Sequence, residues 1–81
     1  MREVIFGRRA ILTKLRPGEE ELLAFYGLKG RPEGVVYVLR DGAGQPQGLL
    51  VYKDGEITAY GGGKSLVEDG KNALMREVEG Q

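Results

Sequence analysis

The dipeptide Asp54-Gly55 constrains this chain more than any other feature, because it stands between two β-prone arms in "LLVYKDGEITAY". A two-residue type I′ loop needs positive φ at both central positions, and Asp-Gly supplies that at low steric cost. Such a loop fixes the register of its arms. Lys53 then faces Glu56, Tyr52 faces Ile57, Val51 faces Thr58 and Leu50 faces Ala59. Side chains alternate along a strand, so one face of the hairpin carries Leu50, Tyr52, Ile57 and Ala59, all apolar. The other carries Leu49, Val51, Thr58 and Tyr60, with charge only at Lys53 and Glu56 beside the turn. A sheet with one wet face alternates apolar and polar residues, and this one does not. Val35-Val36-Tyr37-Val38-Leu39 is likewise apolar on both faces.

Two covered faces are therefore required. The sequence predicts two short helices, of about 10 and 14 residues, enough to cover one face. The second face is expected to be buried by self-association through the sheet, as a homodimer whose contact is Leu49, Val51, Thr58 and Tyr60. The competing account closes it within one chain, by folding Val4 to Leu15 over it.

The flanking segments complete a small α+β domain. It is an antiparallel meander of three to five strands, with a short helix before it and a C-terminal helix packed on it. Val4-Ile5-Phe6 reads as a strand stopped by Gly7. Ala10 to Leu15 is open between a strand and a helical turn. Pro17 fits the first position of a helix, followed by Glu19, Glu20 and Glu21 at its positive end and closed by Gly27. "DGAGQPQG", from Asp41 to Gly48, reads as a loop, with the next strand beginning at Leu49. At the C-terminus Ser65 and Glu68 have the spacing of a capping box, and Val67, Leu74 and Val78 line one helical face. Gly70 interrupts that pattern, and a later start with Asp69 as N-cap is the alternative.

The 81 residues make one domain, spanning 1–81, that buries only about 60% of its unfolded surface. With no cysteine and no histidine, disulfides, thiolate metal sites and the commonest catalytic base are absent. No metal or cofactor is expected. No apolar run approaches the length of a membrane span, and no signal-peptide pattern opens the chain, so a cytoplasmic location is expected. One Asn and three Gln fit a heat-adapted source. Net charge is zero but uneven. Residues 1–31 hold seven basic and four acidic side chains, and residues 32–81 hold five and eight. Arg8, Arg9, Lys14 and Arg16 form a candidate basic patch, yet the overall balance makes nucleic acid an unexpected partner.

"GGGKS", from Gly61 to Ser65, suggests a phosphate loop. A Walker A loop would place glycine at position 58, where this chain has Thr58. It would also follow a parallel strand, whereas the strand here is the return arm of a hairpin. What survives is an anion site on the N–H groups of Gly61, Gly62, Gly63, Lys64 and Ser65 at a helix start. Ser65, the only serine, has no histidine to activate it, so no catalytic residue is assigned and no enzyme is expected.

Four pieces together resemble the bacterial PATAN family (DUF4388): Leu22-Leu23-Ala24-Phe25, Gly34-Val35-Val36, Val51 to Ile57, and Gly70-Lys71-Asn72-Ala73-Leu74. The likeness spans about residues 20–79 and departs from the family pattern at Tyr60 and Gly61 to Gly63. It implies a non-catalytic interaction domain of the kind found in bacterial signalling and surface-motility proteins, here as a stand-alone adaptor. It transfers no site residue. The sequence thus favours a protein–protein interaction module. The alternative is a nucleic-acid or phosphate-ligand binder using the basic N-terminal third and the Gly61–Ser65 loop.

Overall fold

The computed structural model describes residues 1–80 and has the expected α+β class. Five strands, β1 (Val4–Phe6), β2 (Ile11–Lys14), β3 (Val35–Arg40), β4 (Pro46–Lys53) and β5 (Glu56–Gly61), form one sheet in the order 1-2-3-4-5. Every neighbouring pair is antiparallel. A short helix, α1 (Glu21–Phe25), lies in the β2–β3 connection, and α2 (Lys64–Glu79) follows the sheet. The segment open between strand and helical turn is strand β2.

The hairpin register follows from its turn. Asp54 has φ 50° and Gly55 φ 84°, and the pairs Lys53–Glu56, Tyr52–Ile57, Val51–Thr58 and Leu50–Ala59 are all realised. The arm preceding it is longer than the sequence suggests. β4 starts at Pro46 rather than Leu49, with a register shift opposite Leu39 and Arg40. Proline is tolerated there because the first residue of a strand need not donate to the ladder.

α2 covers one face. Leu74, Ala73 and buried Gly70 meet Ile5, Leu12, Tyr37, Leu39 and Leu50, while Leu66, Val67 and Val78 pack at the margins. Gly70 belongs inside this helix because the backbone comes close to the sheet. A Cβ there would lie 2.8 Å from Leu39 Cδ1 and 3.1 Å from Leu50 Cδ1. The capping assignment is corrected: the N-cap is Gly63, Ser65 is the second helical residue, and no side chain caps the helix. Asp69 is likewise mid-helix, not an N-cap.

Most of the second face is closed within the chain, which corrects the premise that Leu49 and Val51 stand in water for a face-to-face dimer to cover. Leu49 and Val51 are buried, in a cluster with Leu15, Leu23, Val36 and Val38 flanked by Leu22, Tyr26, Leu28 and Tyr60. Thr58 is exposed and Tyr60 half-buried. The cover is α1 and its flanking loops, not Val4 to Leu15, most of which forms β1 and β2 within the sheet. α1 is five residues, shorter than predicted, because Gly18 (φ 92°) turns the chain after Pro17. Its end is a Schellman motif: Leu28 N–H donates to Leu23 O, Gly27 N–H to Ala24 O, and Gly27 has φ 94°. Its start is tied down by Arg40, which donates to Thr13 Oγ1, the Gly44 carbonyl and the Glu19 carboxylate, the last at 2.5 Å.

Candidate functional site

Two surface features stand apart from the core. The first is at the sheet end where the β1–β2 turn, the β3–β4 loop and the start of α2 meet. The β1–β2 turn is held by Asp69. Its carboxylate accepts N–H groups from Arg8 (3.1 Å), Arg9 (2.7 Å) and Ala10 (2.7 Å). These donors, Arg9 first and then Ala10, hold its carboxyl below the usual carboxylate range against the opposing effect of burial. Gly7 completes the turn, since a Cβ there would lie 2.6 Å from Asp69 Oδ2. With the backbone donors satisfied by Asp69, the Arg8 and Arg9 side chains project outward and are exposed.

They line an open groove of about 790 Å³ with Gly63, Lys64, Ser65 and Leu66 of the α2 start and with Asp41, Gly42 and Gln47. Arg8, Arg9 and Lys64 form no ion pair among the described residues. The first turn of α2 holds no acidic side chain to offset its positive end, and Glu68 and Asp69 follow in the second. Asp41 contributes one carboxylate, already engaged by Ala43 N–H, Gln45 N–H and Gln47 Nε2. The Gln45 N–H is the main cause of its lowered pKa.

The groove joins half of one predicted site to part of another. Arg8 and Arg9 meet Gly63, Lys64 and Ser65, but Lys14 and Arg16 are not in its lining. Lys14 lies 4.0 Å from Glu3, and Arg16 is in the exposed turn before α1. Gly61 and Gly62 are also outside it, serving as close-approach positions. A Cβ on Gly61 would strike the Tyr26 ring at 2.7 Å, and one on Gly62 would meet Val67 and Leu39. Among the described residues no group of three His, Cys, Asp or Glu side chains is placed to hold a metal. Nor is any helix among the described residues long and apolar enough to cross a membrane.

The second feature is the outer edge of β5. In a two-residue hairpin the pair flanking the turn is hydrogen-bonded, and pairs alternate from there. Glu56, Thr58 and Tyr60 therefore turn their backbone groups toward β4, while Ile57 and Ala59 turn theirs outward. Among the described residues no strand lies beyond β5. This edge lacks the usual protections: it has no lysine, no proline and no bulge, and its one charge, Glu56, sits at the turn. The opposite edge, β1, is three residues long and flanked by Arg2-Glu3 and Gly7-Arg8-Arg9. Of the four residues expected on one interaction face, Leu49 and Val51 are buried, Thr58 is exposed and Tyr60 half-buried, whereas the outward backbone groups of Ile57 and Ala59 were not singled out from the sequence. The hairpin register already held the signal, in the parity of the backbone groups.

No known family pattern, curated protein or solved structure matches this chain.

Proposed function

We propose that the protein is a non-enzymatic interaction module that accepts a strand of another polypeptide on the β5 edge. The observation that carries this reading is the outward-facing N–H and C=O groups of Ile57 and Ala59 on an unprotected edge strand. Strand addition supplies affinity through main-chain bonds and needs no pocket. Because α2 and the α1 connection bury most of both sheet faces, the β5 edge is where the backbone of the sheet meets solvent. The resemblance to the PATAN domains of bacterial signalling proteins points the same way, toward an adaptor.

Ala59→Pro tests it. The Ala59 N–H points away from β4, so proline removes no bond within the chain, and edge strands tolerate it. Wild-type and Ala59→Pro chains, immobilised in parallel, are exposed to extract of the source cells. The reading expects a partner retained by the wild type alone, with the Ile57 and Ala59 amides protected from exchange in the isolated complex. Identical sets on both chains, or an unprotected edge in the complex, contradict it.

A second reading is favoured by one observation, the convergence of Arg8, Arg9 and Lys64 on the open start of α2. On this reading the groove holds a phosphate-bearing ligand. Titration with pyrophosphate and ATP separates the two. The interaction module expects no shift in the amides of Gly63 to Leu66. The second reading expects a saturable shift that Lys64→Ala or Arg9→Ala removes.

A further inference from the structure

We infer that the strand accepted by the β5 edge is the β5 edge of a second copy of this chain, paired antiparallel about a two-fold axis through Thr58. The inference rests on the strand-addition reading above and names its partner. Two identical edges meet across a two-fold in only one antiparallel way, with the axis along the sheet normal. Each protomer then keeps its faces, and residues sharing a face come opposite one another.

The register follows from where β5 can pair. At one end Asp54 and Gly55 form the turn. At the other, Gly61 still lies opposite Gly48 of β4, but its φ of 73° takes it out of the extended conformation that a partner on the outer side would need. The usable edge is thus Glu56 to Tyr60, whose centre is Thr58. Centring there sets Ile57 opposite the second copy's Ala59, and Ala59 opposite its Ile57. These are the two residues whose backbone groups face outward, so both pairs are hydrogen-bonded and four main-chain bonds form.

The side chains agree with this register. Ile57 and Ala59, both half-buried at the margin of the α2-face core, cover one another across the seam. Thr58, exposed in one chain, meets its own copy as a cross-strand Thr–Thr pair. Glu56 falls opposite Tyr60, so the two Glu56 carboxylates lie at opposite ends of the seam and do not repel. The product is a continuous ten-stranded sheet with both α2 helices on one side. Shifting the centre to Ile57 would send Ala59 against the Gly55 turn. Shifting it to Ala59 would require Gly61 to pair. The β1 edge offers no such match, since its three residues carry charged flanks.

Sedimentation equilibrium and one introduced cysteine test the inference. Wild type is expected to show a monomer–dimer equilibrium by hundreds of micromolar. Ala59→Pro should weaken it roughly tenfold or more, because two main-chain donors are lost per dimer. Thr58→Cys places the only thiols of the dimer at a non-hydrogen-bonded pair, whose Cα atoms lie about 4.5 Å apart, within disulfide reach. Mild oxidation should convert it to a covalent dimer far faster than the control Ser65→Cys, an exposed position away from the β5 edge. A wild-type chain that stays monomeric overturns the inference while leaving strand addition to another protein to be judged by the capture experiment. A dimer indifferent to Ala59→Pro, or one in which Thr58→Cys does not cross-link, overturns the two-fold register.

Discussion

The two faces of the sheet are closed by different means. One is covered by α2, a sixteen-residue helix whose apolar stripe and buried glycine fit a regular packing pattern. The other is covered by a connection running from Leu15 to Gly34, in which only five residues are helical. That cover is held by the Arg40–Glu19 contact, a Schellman turn and a few leucines. Helix periodicity announces the first kind of cover. The second has none, yet it buries Leu49 and Val51 and leaves only the Thr58 side of the face open.

Substitution should separate the two covers. Leu74→Ala opens a cavity between a long helix and four strands, a site with little freedom to collapse, and should cost about 3–5 kcal/mol. Leu23→Ala sits under a single helical turn that can settle inward, and about 2–3 kcal/mol is expected. Chemical denaturation measures both. Equal losses, or the reverse order, would erase the distinction between a rigid and a yielding face.

Gly70→Ala sharpens it further. The substitution would gain up to about 1 kcal/mol of helix propensity. It also forces a methyl group against Leu39 and Leu50, both fully buried, and overpacking of this kind costs about 1–3 kcal/mol. A net loss in melting temperature is expected. A gain would show that α2 rides more loosely than the close approach implies.

A smaller effect is expected at Asp69, which ties α2 to the β1–β2 turn. Its folded-state pKa is depressed by the turn N–H groups, so its contribution is fully present above the pKa of the unfolded carboxyl and is lost as pH falls through the folded value. Asp69→Asn should lower stability at neutral pH and flatten the acid limb of the stability curve. An unchanged acid limb would mean that the turn does not depend on the carboxylate. At the low end, Ser65→Ala should change stability by no more than about 0.5 kcal/mol, since Ser65 caps nothing.

These contrasts mark what could be read from residues alone. The β4–β5 register is dictated by Asp54-Gly55, a local signal with one geometric solution. The end of α1 at Gly27 is local in the same way. The start of α2 misleads because Ser65 and Glu68 have the right spacing while the Gly62-Gly63 turn delivers the chain to the helix two residues earlier. Asp69 carries no local signal, because its three partners lie about sixty positions away and only the sheet order brings them near. The groove joining Arg8 and Arg9 to Lys64 is hidden for the same reason. The cover of the second face depends on Arg40 reaching Glu19, a contact between two charged residues that composition alone assigns to solvent.

The central claim is that most of both faces is buried within one chain and, as proposed, that contact with other polypeptides runs through the β5 edge. Residue-resolved amide hydrogen exchange across a dilution series tests it most directly. The account predicts that Ile57 and Ala59 exchange freely when dilute and become protected as concentration rises, while Thr58 and Tyr60, bonded to β4, stay protected throughout. Ile57 and Ala59 amides that exchange at the same fast rate at every concentration, with protection appearing instead over the α1 face, would contradict it.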